Sequence, residues 1–130
     1  MIPKFRAWDK IRNRISEVER IYIDTKGVRL RDENGEYWRR FDDVILMQST
    51  GLFDKNGQEI FEGDVVKIMD EDGDSEISAV TFKHGASGMT ITGVFVPFVT
   101  MIVEATVDYT LEIISNIHAN PELVEGVENE

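Results

Sequence analysis

The side chains of this chain that could do chemistry are its carboxylates, its two histidines and a set of arginines spaced among aromatic residues. The densest carboxylate run is Asp70-Glu71-Asp72-Gly73-Asp74-Ser75-Glu76. A calcium loop of the EF-hand kind needs oxygen ligands at alternate positions, glycine at the sixth and glutamate at the twelfth. Counted from Asp70, glycine stands fourth and Thr81 twelfth, and the flanking residues favour strands. The run therefore reads as a solvated hairpin loop around the turn pair Asp72-Gly73. A zinc site would have to add carboxylates to His84 and His118, which lie far apart in the chain. Ser49, Ser75, Ser87 and Ser115 lie in no GxSxG context, and no GxxxxGK(S/T) loop for nucleotide phosphates occurs. Twenty-five acids offer many pairs for proton transfer, but nothing selects one. The sequence points to no catalytic, cofactor-binding or metal residue, and the chain reads as non-enzymatic.

The arginines carry more information. Arg6, Lys10, Arg12, Arg14, Arg20, Arg29, Arg31, Arg39 and Arg40 interleave with Trp8, Tyr22, Tyr37 and Trp38. Arginine beside an aromatic ring stacks single-stranded bases, and both types are enriched at protein interfaces. The plainer alternative is the solvated face of a sheet, paired with acids elsewhere in the chain. Candidate contact residues are Arg6, Trp8, Tyr37, Trp38, Arg39 and Arg40, joined by Phe95 and Phe98 around Pro97.

Charge sharpens this contrast. Residues 1–40 hold eleven of the fourteen basic residues against seven acids, a net of +4, whereas residues 41–130 carry −15. Charges more than about 8 Å apart are largely screened at physiological salt, so a local basic patch survives the global −11. There is no cysteine, which fits a reducing cytosol. The start, MIPKFRAWDK, has no apolar core of a signal peptide, and the longest apolar run, Val94 to Val99, is too short to span a membrane.

The elements that must position these residues are short and extended. Lys4 to Asp9 alternates apolar and polar residues, as does Val28 to Arg31. Within Ile15 to Asp24, Ile15, Val18 and Tyr22 fit a helical stripe while Ile21-Tyr22-Ile23 favours a strand, and Val18 to Asp24 is read as strand. Glu36 to Arg39 returns as a strand after the turn at Asn34-Gly35. Together they predict a β-meander over residues 1–46. Phe41 to Val44 reads as a helical turn and Ile45 to Gln48 as a strand. Further strands are predicted over Asp64 to Asp70, Ile77 to Lys83, Met89 to Val96 and Tyr109 to Ser115, with reversals at Asn56-Gly57, Gly63, and Gly85 to Gly88. Val99 to Thr106 fits strand or helix equally. Asn120-Pro121 opens a short C-terminal helical turn with Asn120 as its cap. The fold class is mainly β: an N-terminal meander packed on an SH3-like barrel or roll over residues 47–126, followed by the acidic tail 127–130.

Three segments carry a resemblance: KFRAWDK at Lys4 to Lys10, MQSTGLFDKNGQEIFEGDVVKI at Met47 to Ile68, and EIISNIHANPELVEG at Glu112 to Gly126. In this order and spacing the chain resembles the YopX family of phage and prophage proteins. The resemblance implies a mainly β fold with an SH3-type roll in the second half and an origin in a phage or integrated element. It brings no catalytic or binding residue with it. The expectation is a cytoplasmic accessory protein, without cofactor, that binds a host or phage protein and can self-associate. The alternatives are nucleic-acid binding through the basic meander, or an acidic DNA mimic. No membrane partner is expected.

Overall fold

The structure, a computed structural model, describes residues 4–83, 85–91, 93–103 and 109–124, with the backbone alone over 101–103. The chain divides into two units, Met1–Ser49 and Thr50–Glu130.

The first unit is the expected meander. Its strands are β1 (Phe5–Asp9), β2 (Arg14–Tyr22), β3 (Gly27–Asp32), β4 (Gly35–Arg40) and the start of β5 (Val44–Phe53). All pair antiparallel in the order β4-β3-β2-β1-β5, so β4 is the free edge. A 3-10 turn at Phe41–Asp43 leads into β5. Successive strand side chains point to opposite faces, and one face carries the core. Ala7, Val28, Leu30 and Val44 are buried there, with Val18, Ile21, Tyr37, Phe41 and Leu46 packed around them. Between Val18 and Arg20 the β2–β3 register shifts, which leaves Glu19 as the extra residue of a bulge.

The second unit takes the end of β5 from Thr50 and adds β6 (Glu59–Phe61) beside it. β7 (Asp64–Met69) lies between β8 (Ser75–Ala79) and β12 (Thr110–Asn116), while β10 (Ala86–Ile91) lies between β9 (Thr81–Lys83) and β11 (Val94–Pro97). β7 is buried on both faces. Val66 and Ile68 join Ile60, Val80, Met89 and Phe98 in one cluster, and Val65 joins Ala79 and Val124 in another.

Several expectations are corrected here. No closed barrel forms among the described residues; the strands make separate three-stranded sheets. The chain passes from β8 to β9 at Val80, whose N–H and C=O turn to Asp64 O (2.8 Å) and Gly63 N (2.9 Å) instead of a ladder partner. The strand expected over Met89 to Val96 is two strands joined through Gly93, whose φ is +83°. Gly88 lies inside β10 and not at its turn. The ambiguous segment after Pro97 is helix α1 (Phe98–Val103). Asn120 does not cap the final 3-10 turn, because its side chain is held by Ser115 and Glu122. Phe98, expected at a contact surface, is 3% exposed and belongs to the core.

Truncating a buried phenylalanine costs about 3–5 kcal/mol through lost burial and the cavity left behind. Phe98→Ala is accordingly expected to lower stability by about that much in urea unfolding. A loss under about 1 kcal/mol would place Phe98 at the surface instead.

Candidate functional site

In the first unit, the inner face of the sheet is organised by a buried charge. Asp9, at the end of β1, is fully buried. Its Oδ1 accepts the N–H groups of Ile11 (2.9 Å) and Arg12 (3.3 Å) and the Nε–H of Arg39 (3.1 Å). Its Oδ2 accepts the Tyr37 hydroxyl at 3.0 Å, and that hydroxyl lies 2.6 Å from Ser16 Oγ. Burial pushes the Asp9 pKa up, but these donors outweigh it and hold the carboxyl below its ordinary value. The guanidinium groups of Arg12 and Arg39 lie 4.1 and 4.8 Å from the Tyr37 ring centroid. Arg12 also reaches Asp32 at 2.9 Å, and Arg14 pairs with the same carboxylate. The Asp9 carboxylate is fully engaged by these donors, so its chemistry is spent on shaping the β1–β2 loop and attaching β4. Arg14 Nε is buried without a hydrogen-bond partner among the described residues.

Asp54 plays the same part in the second unit. Its Oδ1 accepts from Asn56 N and Gln58 N at 2.9 Å, and its Oδ2 accepts from Ile113 N at 3.0 Å. Burial raises its pKa, and the three backbone donors lower it further than burial lifts it. The turn residue Gly57 adopts φ +81°, which a side chain would strain. Lys55 N donates to Leu111 O at 2.8 Å, and Lys55 Nζ lies 3.5 Å from Glu112. The segment around Asp54 is therefore bolted to β12, and neither segment forms a reactive cluster. In the acidic loop, Asp70 Oδ1 accepts from Asp72 N (2.9 Å) and Asp74 N (3.0 Å), as a turn residue does. A hollow of about 480 Å³ beside this loop is lined by Ile68, Ile91 and Tyr109 as well as Asp70, Asp74, Ser75 and Glu76. Among the described residues no group of three or more His, Asp or Glu side chains is placed to hold a metal ion. His118 donates its N–H to Asn116 Oδ1, and His84 lies outside the described residues.

The outer face of the first unit is different. Strand register sets its side chains in rows. In one row Glu17, Arg31 and Glu36 are neighbours, and Arg31 reaches Glu36 at 3.1 Å and also pairs with Glu19. In the next row Arg20 stands opposite Arg29, and Arg29 opposite Trp38. In the third, Gly27 lies between Tyr22 and Arg40. The Trp38 indole lies over Gly27, where an added Cβ would come within 2.0 Å of its Cζ2. Tyr22 supports the indole from the side, with ring centroids 5.4 Å apart at 50°. Trp38 stays 39% exposed. Hydrogen bonding to Tyr22 raises the Arg29 pKa.

The sequence-derived contact residues thus separate. Trp38 and Arg40 lie on the outer face of β4, and Arg40 pairs with Asp43 at 3.5 Å. Arg6 and Trp8 lie on the same face of β1; Trp8 is half-buried beside Ile15 and Ile45, and Arg6 Nη2 lies 3.7 Å from Met47 Sδ. Tyr37 and Arg39 point the other way, into the Asp9 cluster. Phe95, half-buried on β11 in the second unit, has Lys83 Nζ 5.7 Å from its ring centroid. Sequence reasoning missed Asp9 as a buried anchor, and Arg20, Arg29 and Tyr22 as the neighbours of Trp38. The register that gathers them depends on the Glu19 bulge, which the residue alternation alone does not reveal.

The sequence model described as YopX protein matches residues 4–125. The fold is similar to the crystal structure of protein EF1440 from Enterococcus faecalis, with TM-score 0.61 and 27% identity, covering 95% of this chain and 99% of that one. It is also similar to the crystal structure of protein yopX from Bacillus subtilis, with TM-score 0.64 and 19% identity, covering 92% and 96% of the two chains. Among curated proteins nothing matches. No helix among the described residues is long and apolar enough to cross a membrane.

Two measurements check the buried anchors. Arg39→Ala leaves the Asp9 charge without its guanidinium and is expected to cost about 2–4 kcal/mol in urea unfolding; a cost below about 0.5 kcal/mol would show that the pair carries nothing. Asp9 and Asp54 both have folded pKa values below the reference 3.8. Their contribution is complete above that value and is lost as pH falls through it toward the folded pKa. Melting temperature is expected to fall steeply below about pH 4, and Asp54→Asn is expected to flatten that fall while lowering the plateau at neutral pH. An unchanged acid limb would contradict the assignment.

Proposed function

The chain belongs to the YopX protein family, and on that premise we propose that it is a non-enzymatic protein-binding module that makes contact through the outer face of its first unit. The observation that carries this reading is Trp38, half exposed yet locked over Gly27 and against Tyr22. A large aromatic side chain already fixed in one pose loses little freedom on binding, and such anchors supply most of the energy of protein interfaces. Arginines surround it, and arginine and tryptophan are both enriched in interface cores.

The charge pattern supports a protein partner over nucleic acid. The first unit holds eleven basic and nine acidic residues. Arg12, Arg14, Arg29, Arg31, Arg39 and Arg40 each reach a carboxylate of the same unit. A phosphate chain approaching this face would meet guanidinium and carboxylate groups in alternation. The second unit, with three basic and sixteen acidic residues, repels it outright. The module is read as a phage or prophage accessory protein of the bacterial cytosol, with a host or phage protein, or a second copy of itself, as partner.

The test combines size measurement across a concentration range with capture from bacterial lysate, using the wild type and a folded Trp38→Ser variant. The expected result is a concentration-dependent size or a specific captured protein, lost in the variant. A strict monomer that captures nothing, or capture indifferent to Trp38→Ser, would overturn the reading. Binding that weakens steeply with salt, and belongs to nucleic acid alone, would overturn it as well.

A further inference from the structure

The outer face contains one row whose charges do not balance. Facing side chains on neighbouring antiparallel strands lie close together, and like charges placed opposite one another destabilise the sheet. The row Glu17–Arg31–Glu36 obeys this rule, with its arginine between acids. The row Arg20–Arg29–Trp38 breaks it, because two guanidinium groups stand opposite each other and an indole takes the third place. Glu36 lies 3.6 Å from Arg29 but also serves Arg31 at 3.1 Å. Arg20 is exposed and joins no ion pair among the described residues. The bulge at Glu19 creates this mismatch, since it shifts β2 so that Arg20 and not Glu19 faces Arg29.

From this geometry we infer that Arg20 and Arg29 together receive one carboxylate of a partner protein, while an apolar side chain next to it in the partner lies on Trp38. The inference rests on the contact surface proposed above and names the chemistry of its partner: an acidic segment with an adjoining apolar or aromatic residue. Charge complementarity selects it. Two guanidinium groups suit one carboxylate in a bidentate or shared arrangement, and the Trp38–Tyr22 pair offers an apolar wall beside it. Glu17, Glu19 and Glu36 border the row, so a single acidic group fits where a chain of phosphates is repelled.

The arrangement makes a paired forecast. Arg20→Glu restores alternation in the free protein and abolishes the receptor for the acid. Its melting temperature is expected to rise by about 1–4 °C, and its binding to fall at least tenfold. A random dodecapeptide library displayed on phage is selected on the wild type, on Arg20→Glu and on Trp38→Ser, with a labelled oligothymidylate strand titrated in parallel. The wild type is expected to enrich peptides pairing Asp or Glu with an apolar or aromatic neighbour, and both variants to lose them. Peptides that need Trp38 but contain no acid, or that bind Arg20→Glu equally, would overturn the acidic subsite and leave the contact surface standing. No enriched peptide, or binding of the oligothymidylate alone, would overturn both. A lowered melting temperature in Arg20→Glu would refute the unbalanced row itself.

Discussion

Asp9 is a charge with no access to water, and the first unit is arranged around keeping it charged. A buried carboxylate survives only when donors replace its lost hydration. Here the donors come from the loop after β1, from Tyr37 and from Arg39. Together they fix the β1–β2 loop and tie β4 to the end of β1 through side chains on the inner face of the sheet. Because Tyr37 and Arg39 must point inward, strand alternation sends Trp38 and Arg40 outward. The proposed contact surface is thus a consequence of the anchor on the opposite face.

The second unit uses the same device for a different join. Asp54 gathers two amides of its own loop and one from Ile113, so residues far apart in sequence become neighbours. Two of the three segments that carry the family resemblance meet at this point. The first segment contains Asp9. The resemblance therefore traces residues that organise loops and hold strands together, which accounts for its silence about chemistry. Residues that distinguish the outer face, Tyr22, Gly27, Arg29 and Trp38, lie between those segments.

Much of the architecture was legible from alternation and turn pairs. The meander, the Phe41 turn, β7 and the closing strand follow directly from local pattern, because each is decided by neighbours within a few residues. The misses share a cause. The sequence places a reversal at Gly85 to Gly88 and runs a strand through Gly93, and only pairing with β11 decides that Gly93 turns while Gly88 stays in a strand. Phe98 follows Phe95 and Pro97 in an apolar run, and only the packing of Met89, Val66 and Ile68 makes it core. Glycine turns and the spacing of the strands from Asp64 onward suggest an SH3-like barrel, yet Val80 bonds to the Gly63-Asp64 turn and takes the chain to a separate sheet. On the proposed contact surface, Trp38 and Arg40 are visible as residue types, whereas nothing in the sequence tells that Tyr37 and Arg39 lie on the face of β4 that meets Asp9.

The central claim is that the outer face around Trp38, held in place by the buried Asp9 cluster behind it, is where a partner binds. NMR tests it most directly, by following the indole N–H of Trp38 and the Nε–H groups of Arg20 and Arg29 as a captured partner is added. The account predicts that these signals shift or broaden together while the amides of Ile11 and Arg12, bound to Asp9, stay in place. Perturbations confined to the second unit, with the Trp38 signal unmoved at saturation, would contradict it.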